Sequence, residues 1–174
     1  MDPARFVFLD ETGAATNLVR RYGWGPRDER LVDAAPQGHW HTTTFVAGLR
    51  GTGLVAPLVL DGPMTGEAFR AYVEQVLAPV LRPGDVAVLD NLAAHKVAGV
   101  REAIHAAGAS ILHLPPYLPD LNPIEQAFAK LKAGLRKAAA RTRDALWATI
   151  AQLLNTFSPD ECRNYLTNSG YEFE

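Results

Sequence analysis

Apolar positions mark out the elements. Residues 5–9 (Arg-Phe-Val-Phe-Leu) form a short run that stops at Asp10 and predicts a buried strand. Residues 41–49 are rich in β-branched side chains and predict a second strand. The Arg50-Gly51-Thr52-Gly53 turn leads into a third over 54–60, where Pro57 predicts an edge or a bulge. Residues 17–24 read as a short strand or an ordered loop. Thr65 caps a predicted helix over 66–78, with Phe69, Val73, Val76 and Leu77 at core spacing and Pro79 at its end. A strand over 86–89 stops at Asp90. A helix over 96–107 turns Val97, Val100 and Ile104 inward, and a strand follows over 110–114. After the Pro-rich LPPYLPDLNP come helices over 123–138 and 143–156, then a short one from 159 with a Ser158–Glu161 capping box.

Three early strands close in sequence make an antiparallel meander, and strands alternating with helices make parallel additions. The fold class is therefore α/β, a mixed sheet with helices on both faces. In such sheets ligands bind at the C-terminal ends of the parallel strands.

Composition narrows the class. The chain has 174 residues, 48% apolar and 21% charged, which fits one soluble globular domain and excludes collagen, coiled coil and disordered tail. No apolar run is long enough to span a bilayer, the N-terminus does not read as a signal peptide, and Cys162 stands alone, so the expected location is cytoplasmic. The net charge of −2 is segregated. Residues 1–95 carry −3, residues 96–143 carry +5 and residues 144–174 carry −4. The middle segment has the charge of a phosphate-binding face, or of a solvated helix surface.

Asp10 and Asp90 each follow an apolar run directly. On neighbouring strands, about 4.8 Å apart, their carboxylates would share one space and repel, and a divalent cation such as Mg²⁺ would relieve this. Either alone also reads as a strand-end turn residue. Glu125 is the third candidate. Asn122 and Glu125 have the spacing of a capping box around Pro123, a structural use. Yet Glu125 also leads a helix stripe that returns, within about 20°, at Lys132 and Arg136, beside the buried stripe Ile124, Ala127, Phe128, Leu131 and Leu135.

The segments FLDET, VLDNLAAHK and PPYLPDLNPIEQAFAKLK resemble the DDE transposases, and more narrowly the bacterial insertion-sequence branch of the mariner superfamily. The 34 residues between Asp90 and Glu125 match that branch, as do RRYGWGPRDER, GHWHTTTFVAGLRGTGLVAPLVLDGP and ECRNYLTNSGY. Leu118 departs from it, standing where the family usually has Ser. The resemblance implies an RNase H-like fold and a two-metal mechanism with Mg²⁺ or Mn²⁺. Asp10 would bridge two ions, with Asp90 on one and Glu125 on the other, for cleavage of transposon ends and strand transfer into target DNA, by resemblance at TA. Another RNase H-like nuclease, or a non-catalytic DNA-binding derivative, is the alternative.

Supporting residues follow. Asn91 and His95, after Asp90, are expected to orient water, a metal ligand or a phosphate, with His95 also readable as a helix cap. Glu11 alternates to the other face of the strand, as a support of the site or a surface carboxylate. Lys96, Lys130, Lys132, Arg136 and Lys137, with Arg20 and Arg21, are the expected DNA contacts. Arg27 and Arg30 extend that cluster or are solvated. Tyr22 and Trp24 are expected to pack, His39 and His41 to be strand-surface residues, Asp61 to serve a turn and Asp120 to brace its loop. The whole chain, residues 1–174, is expected to be one catalytic domain. A helix-turn-helix module is not expected on it, since Asp10 lies nine residues from Met1; either a separate reading frame supplies one, or the chain is a truncated remnant. A homodimer when active, nucleoid-associated and without membrane contact, completes the expectation.

Overall fold

The structure, a computed structural model, describes residues 2–19, 22–30, 32, 40–115 and 118–173. Among the described residues, five strands form one sheet: β1 (Phe6–Ala15), β2 (Thr42–Arg50), β3 (Gly53–Asp61), β4 (Val86–Leu89) and β5 (Ser110–His113), in the order β3-β2-β1-β4-β5. β1, β2 and β3 pair antiparallel, and β4 and β5 add in parallel on the other side of β1. The expected mixed sheet is therefore present.

β1 runs six residues beyond the predicted end at Leu9. Its parallel pairing with β4 ends at Leu9–Leu89, but its antiparallel pairing with β2 continues to Ala15–Thr42. Backbone pairing carries the strand through polar Asp10, Glu11 and Thr12, which interrupt the apolar pattern. β3 is an edge strand, as Pro57 predicts. Its pairing slips between Val46 and Gly48 of β2, which places an extra residue near Ala56, at φ 50°. The Tyr72 hydroxyl donates to the Ala56 carbonyl there (2.8 Å).

Five α-helices among the described residues cover the sheet. α1 (Gly66–Tyr72) is capped by Thr65 Oγ1 and passes into a wider π turn over Val73–Leu77 and a 3₁₀ turn over Ala78–Val80. Pro79 explains why the predicted single helix loosens, since it lacks an N–H and its ring crowds the carbonyl four residues back. α2 (Val100–Ala106) begins later than predicted. Gly99, at φ 96°, separates it from a 3₁₀ turn over Ala93–Lys96. α3 (Ile124–Ala138), α4 (Arg143–Leu154) and α5 (Pro159–Asn168) follow, the last a full ten-residue helix. Among the described residues, no helix is long and apolar enough to cross a membrane.

Strand alternation divides the interior in two. Phe6 and Phe8 face α3, α4 and α5, packing with Phe45, Phe128, Leu131, Ile150 and Leu166. Val7 and Leu9 face α1 and α2, packing with Phe69, Tyr72, Val73, Leu89 and Ile104. Each such side chain contributes about 1.5–3 kcal/mol by leaving water. The same alternation sends Asp10 to the α3 side and Glu11 to the α1 and α2 side.

Candidate active site

Asp10 and Asp90 are the next residues after Leu9–Leu89, the last parallel pair of β1 and β4. Two adjacent buried strands thus deliver two carboxylates to one end of the sheet, as the apolar runs predict. Asp10 is 8% exposed. Its Oδ1 accepts from the Glu11 backbone N–H (2.8 Å) and its Oδ2 from Asn122 Nδ2 (2.8 Å). Burial pushes the carboxyl up to about 7, and the negative charges of Glu125, Glu11 and Asp90 add to the shift against the Glu11 N–H.

Glu125 is exposed, in the first turn of α3, with its backbone N–H on the Asn122 carbonyl (3.2 Å). The capping-box reading does not hold. The N-cap position of α3 is Pro123, and the Asn122 side chain reaches back to Asp10 instead of capping. The Glu125 carboxylate makes no hydrogen bond among the described residues. Asp120, Asn122, Glu125, Gln126, Asn168 and Ser169 line an open groove of about 420 Å³ on this side.

On the other face, Glu11 is not a surface carboxylate. Its Oε2 lies 3.0 Å from His95 Nε2. His95 Nδ1 lies 2.6 Å from Asp90 Oδ1, an ion-pair contact without the alignment of a hydrogen bond. Asp90 Oδ1 also accepts from the Leu92 N–H (3.0 Å). The imidazole is buried and tilted against Phe69, with ring centroids 4.3 Å apart. Burial opposes charge on His95, but the Glu11 hydrogen bond and the charges of Glu11 and Asp90 outweigh it and raise its pKa.

Two residues join the site without having been expected there. Asn122 was readable only as a cap. His113, at the end of β5, donates from Nδ1 to the Asp90 carbonyl (3.0 Å), and its signal was its place at a strand end beside Asp90.

The donor set suits a hard divalent cation. All three acidic groups offer oxygen, and Asp10 is pushed toward its neutral form first by burial and then by surrounding negative charge, which a cation would offset. Among the described residues, no three His, Cys, Asp or Glu side chains are drawn together into a ready-made metal centre. The arrangement is an open cluster, with Asp90 Oδ1 turned to His95.

The remaining expectations divide. Asn91 and Lys96 are exposed beside the site. Lys132 is half-buried, and Arg136 and Lys137 are exposed along α3. Lys130 is a correction: its ammonium is held by Glu161 Oε2 (2.6 Å) and the Thr156 carbonyl (2.8 Å), over the Phe157 ring, and so ties α3 to α5. Tyr22 and Trp24 are also corrections, being 92% and 102% exposed on an irregular stretch rather than packed. Arg27, Arg30 and His41 are exposed, Asp120 is exposed in a 3₁₀ turn, and Asp61 pairs with Arg143 (3.1 Å). Arg20, Arg21 and His39 lie outside the described residues.

Residues 5–147 match the family model of the DDE superfamily endonucleases. No curated protein matches the chain. Among solved structures, the chain is similar to the Mos1 strand transfer complex, with a TM-score of 0.68 and 15% identity over 99% of this chain and 56% of that one. It is similar to the Mos1 mariner paired end complex with Mn, at 0.68 and 15% over 98% and 57%. The catalytic core domain of BIV integrase is similar at 0.56 and 12%, over 97% of this chain and 99% of that one. At these identities the likeness is one of fold, the RNase H-like fold shared by transposase and integrase catalytic cores. The chain spans little more than half the length of the Mos1 chains it matches.

Proposed function

The chain belongs to the DDE superfamily endonucleases, and from that premise we propose that residues 1–174 are the catalytic domain of a mariner-superfamily transposase of the bacterial insertion-sequence branch. The observation that carries the reading is the placement of Asp10 and Asp90 at the ends of adjacent parallel strands, with Glu125 at the start of the helix on the Asp10 side. Asp10, Asp90 and Glu125 are the residues that would hold two divalent ions, Mg²⁺ or Mn²⁺. Bound there, such ions supply Lewis-acid activation of an attacking oxygen and stabilise a leaving oxygen at phosphorus.

The chain's own side chains prepare this. Asn122 and the Glu11 N–H fix both Asp10 oxygens. Glu11 and His95 hold Asp90 from the opposite face, and His113 holds its backbone. The Lys132 and Arg136 side of α3 leads away from Glu125 and suits a phosphate backbone, with Lys137 exposed at the same end of the helix. Lys96, exposed next to His95 in sequence, suits contact with the same DNA strand, and Asn91 suits contact with a phosphate or water near Asp90.

The DNA is a transposon end and then a target, at TA by family resemblance. A helix-turn-helix module and a second copy of the chain complete the active assembly, at the nucleoid in the bacterial cytoplasm. The Mos1 complexes with DNA ends and with Mn support DNA and a divalent ion as the partners of this fold.

The test is nicking of supercoiled plasmid in Mg²⁺ or Mn²⁺, beside an RNA–DNA hybrid. DNA cleavage that leaves 3′-hydroxyl ends and disappears in Asp10→Asn, Asp90→Asn and Glu125→Gln supports the proposal. Preference for the hybrid would make the chain a different RNase H-like nuclease, and DNA binding without cleavage a non-catalytic derivative.

A further inference from the structure

Asn122 is 6% exposed, and its amide is used unevenly. Nδ2 spends its hydrogen bond on Asp10 Oδ2 at 2.8 Å, while Oδ1 is buried with no partner. An amide kept for the fold would satisfy both ends, because a buried acceptor without a partner costs stability. It would also cap α3, which it precedes, and it does not. What Asn122 does is hold one oxygen of the most buried acid of the site, beside the groove that Glu125 lines.

We infer that Asn122 is a positioning residue that orients Asp10 for cation binding. The inference rests on the carboxylate reading above. Asp10 Oδ1 is set by its neighbour's backbone N–H, so Asn122 is the side chain that decides the rotation of the carboxylate. With Oδ2 unsupported, the group must be ordered at the moment a cation binds, and affinity falls. Outer groups that orient a ligand typically contribute 10–100-fold in metal affinity.

The experiment is Mn²⁺ binding by calorimetry on the full chain, below the melting temperature of each protein in EDTA. The set is wild type, Asp10→Asn, Asn122→Ala and Asn122→Leu, with Gln126→Ala as a control in the same groove. Asn122→Leu keeps nearly the same volume if the alanine variant does not fold. A tenfold or greater loss of affinity in a folded Asn122 variant, with Gln126→Ala unchanged, is the expected result. A smaller loss overturns the inference, and so does an equal loss in Gln126→Ala. Should Asp10→Asn weaken binding while the Asn122 variants do not, only the role of Asn122 falls. Should Asp10→Asn bind as wild type does, the carboxylate reading falls and takes this one with it.

Discussion

Asn122 Nδ2 donates to Asp10 Oδ2 at 2.8 Å, joining the loop before α3 to the middle of β1 across 112 positions of sequence. This contact makes one site out of two distant segments. The strand carries Asp10 to the α3 side of the sheet, and the loop that supplies Asn122 also sets where Glu125 begins its helix. Displacing that loop would move a support of Asp10 and Glu125 itself together.

The burial of Asp10 gives the metal-free protein a pH dependence. Its pKa is about 7 in the folded chain against 3.8 for the ordinary group. The folded state therefore holds its proton more tightly than the unfolded state. The stability this contributes is in place below about 4 and is lost as pH rises toward 7. In EDTA, stability is expected to fall between about pH 4 and 7 and level off above, and Asp10→Asn to flatten the fall and exceed wild type at pH 8 by on the order of a few kcal/mol, read as a higher melting temperature. Mg²⁺ or Mn²⁺ should restore wild type at pH 8 and leave the variant unmoved. Parallel slopes for the two proteins would contradict the assignment.

His95 makes a contribution of the same sign at its own carboxylates. Its folded pKa is raised above 6.5, so the stabilisation is complete below that value and is lost as pH climbs through the raised one. His95→Gln leaves Glu11 and Asp90 without a cation and is expected to cost about 2–3 kcal/mol near pH 6. That is a fall of roughly 4–12 °C in melting temperature for a chain of this size. The deficit should shrink by pH 9. A deficit independent of pH would mean that packing against Phe69, not charge, is what His95 supplies.

The end of the sheet where Asp10 and Asp90 meet was legible because each follows a run of apolar residues, and such a run in an α/β sheet has one readable consequence. The buried stripe of α3 was legible from its period, residue for residue. What escaped was decided by contacts far apart in sequence. The continuation of β1 past Asp10 depends on β2, which no local pattern shows. Asn122 and Glu125 have the spacing of a cap, and only the proximity of Asp10 turns the amide away from α3. Glu11 looks like a surface acid until a buried imidazole, 84 positions later, is found beside it. Lys130 sits in the basic segment, but Glu161 comes from a helix whose docking the charge count cannot reveal.

That difference between Lys130 and its neighbours separates structure from DNA binding. Lys130→Ala is expected to cost about 1 kcal/mol of stability, through Glu161 and the Thr156 carbonyl, and to leave the salt dependence of DNA binding unchanged. Arg136→Ala and Lys137→Ala, both exposed, should keep the melting temperature and weaken binding to any duplex. Each should reduce the slope of log affinity against log salt by about 1. Titrations of a fluorescent duplex at several salt concentrations read this directly. A slope change confined to Lys130→Ala would reverse the assignment.

Gly48 offers a test of the sheet itself. It sits in β2 opposite Leu9, on the face that packs against α1 and α2. A Cβ there would come within 2.8 Å of Val7 Cγ1 and 3.0 Å of Val55 Cγ2. Both are β-branched side chains on the neighbouring strands and have little rotamer freedom with which to yield. Gly48→Ala should therefore cost about 1–3 kcal/mol by overpacking. Gly13, in β1, is the control, because a Cβ at that position meets nothing within 4 Å. Gly13→Ala should be neutral or slightly stabilising, since it removes freedom from the unfolded chain without a clash. Thermal unfolding of the two variants decides the matter. An equal effect at both positions would mean that the close approach of β1, β2 and β3 around Gly48 is not what requires glycine there.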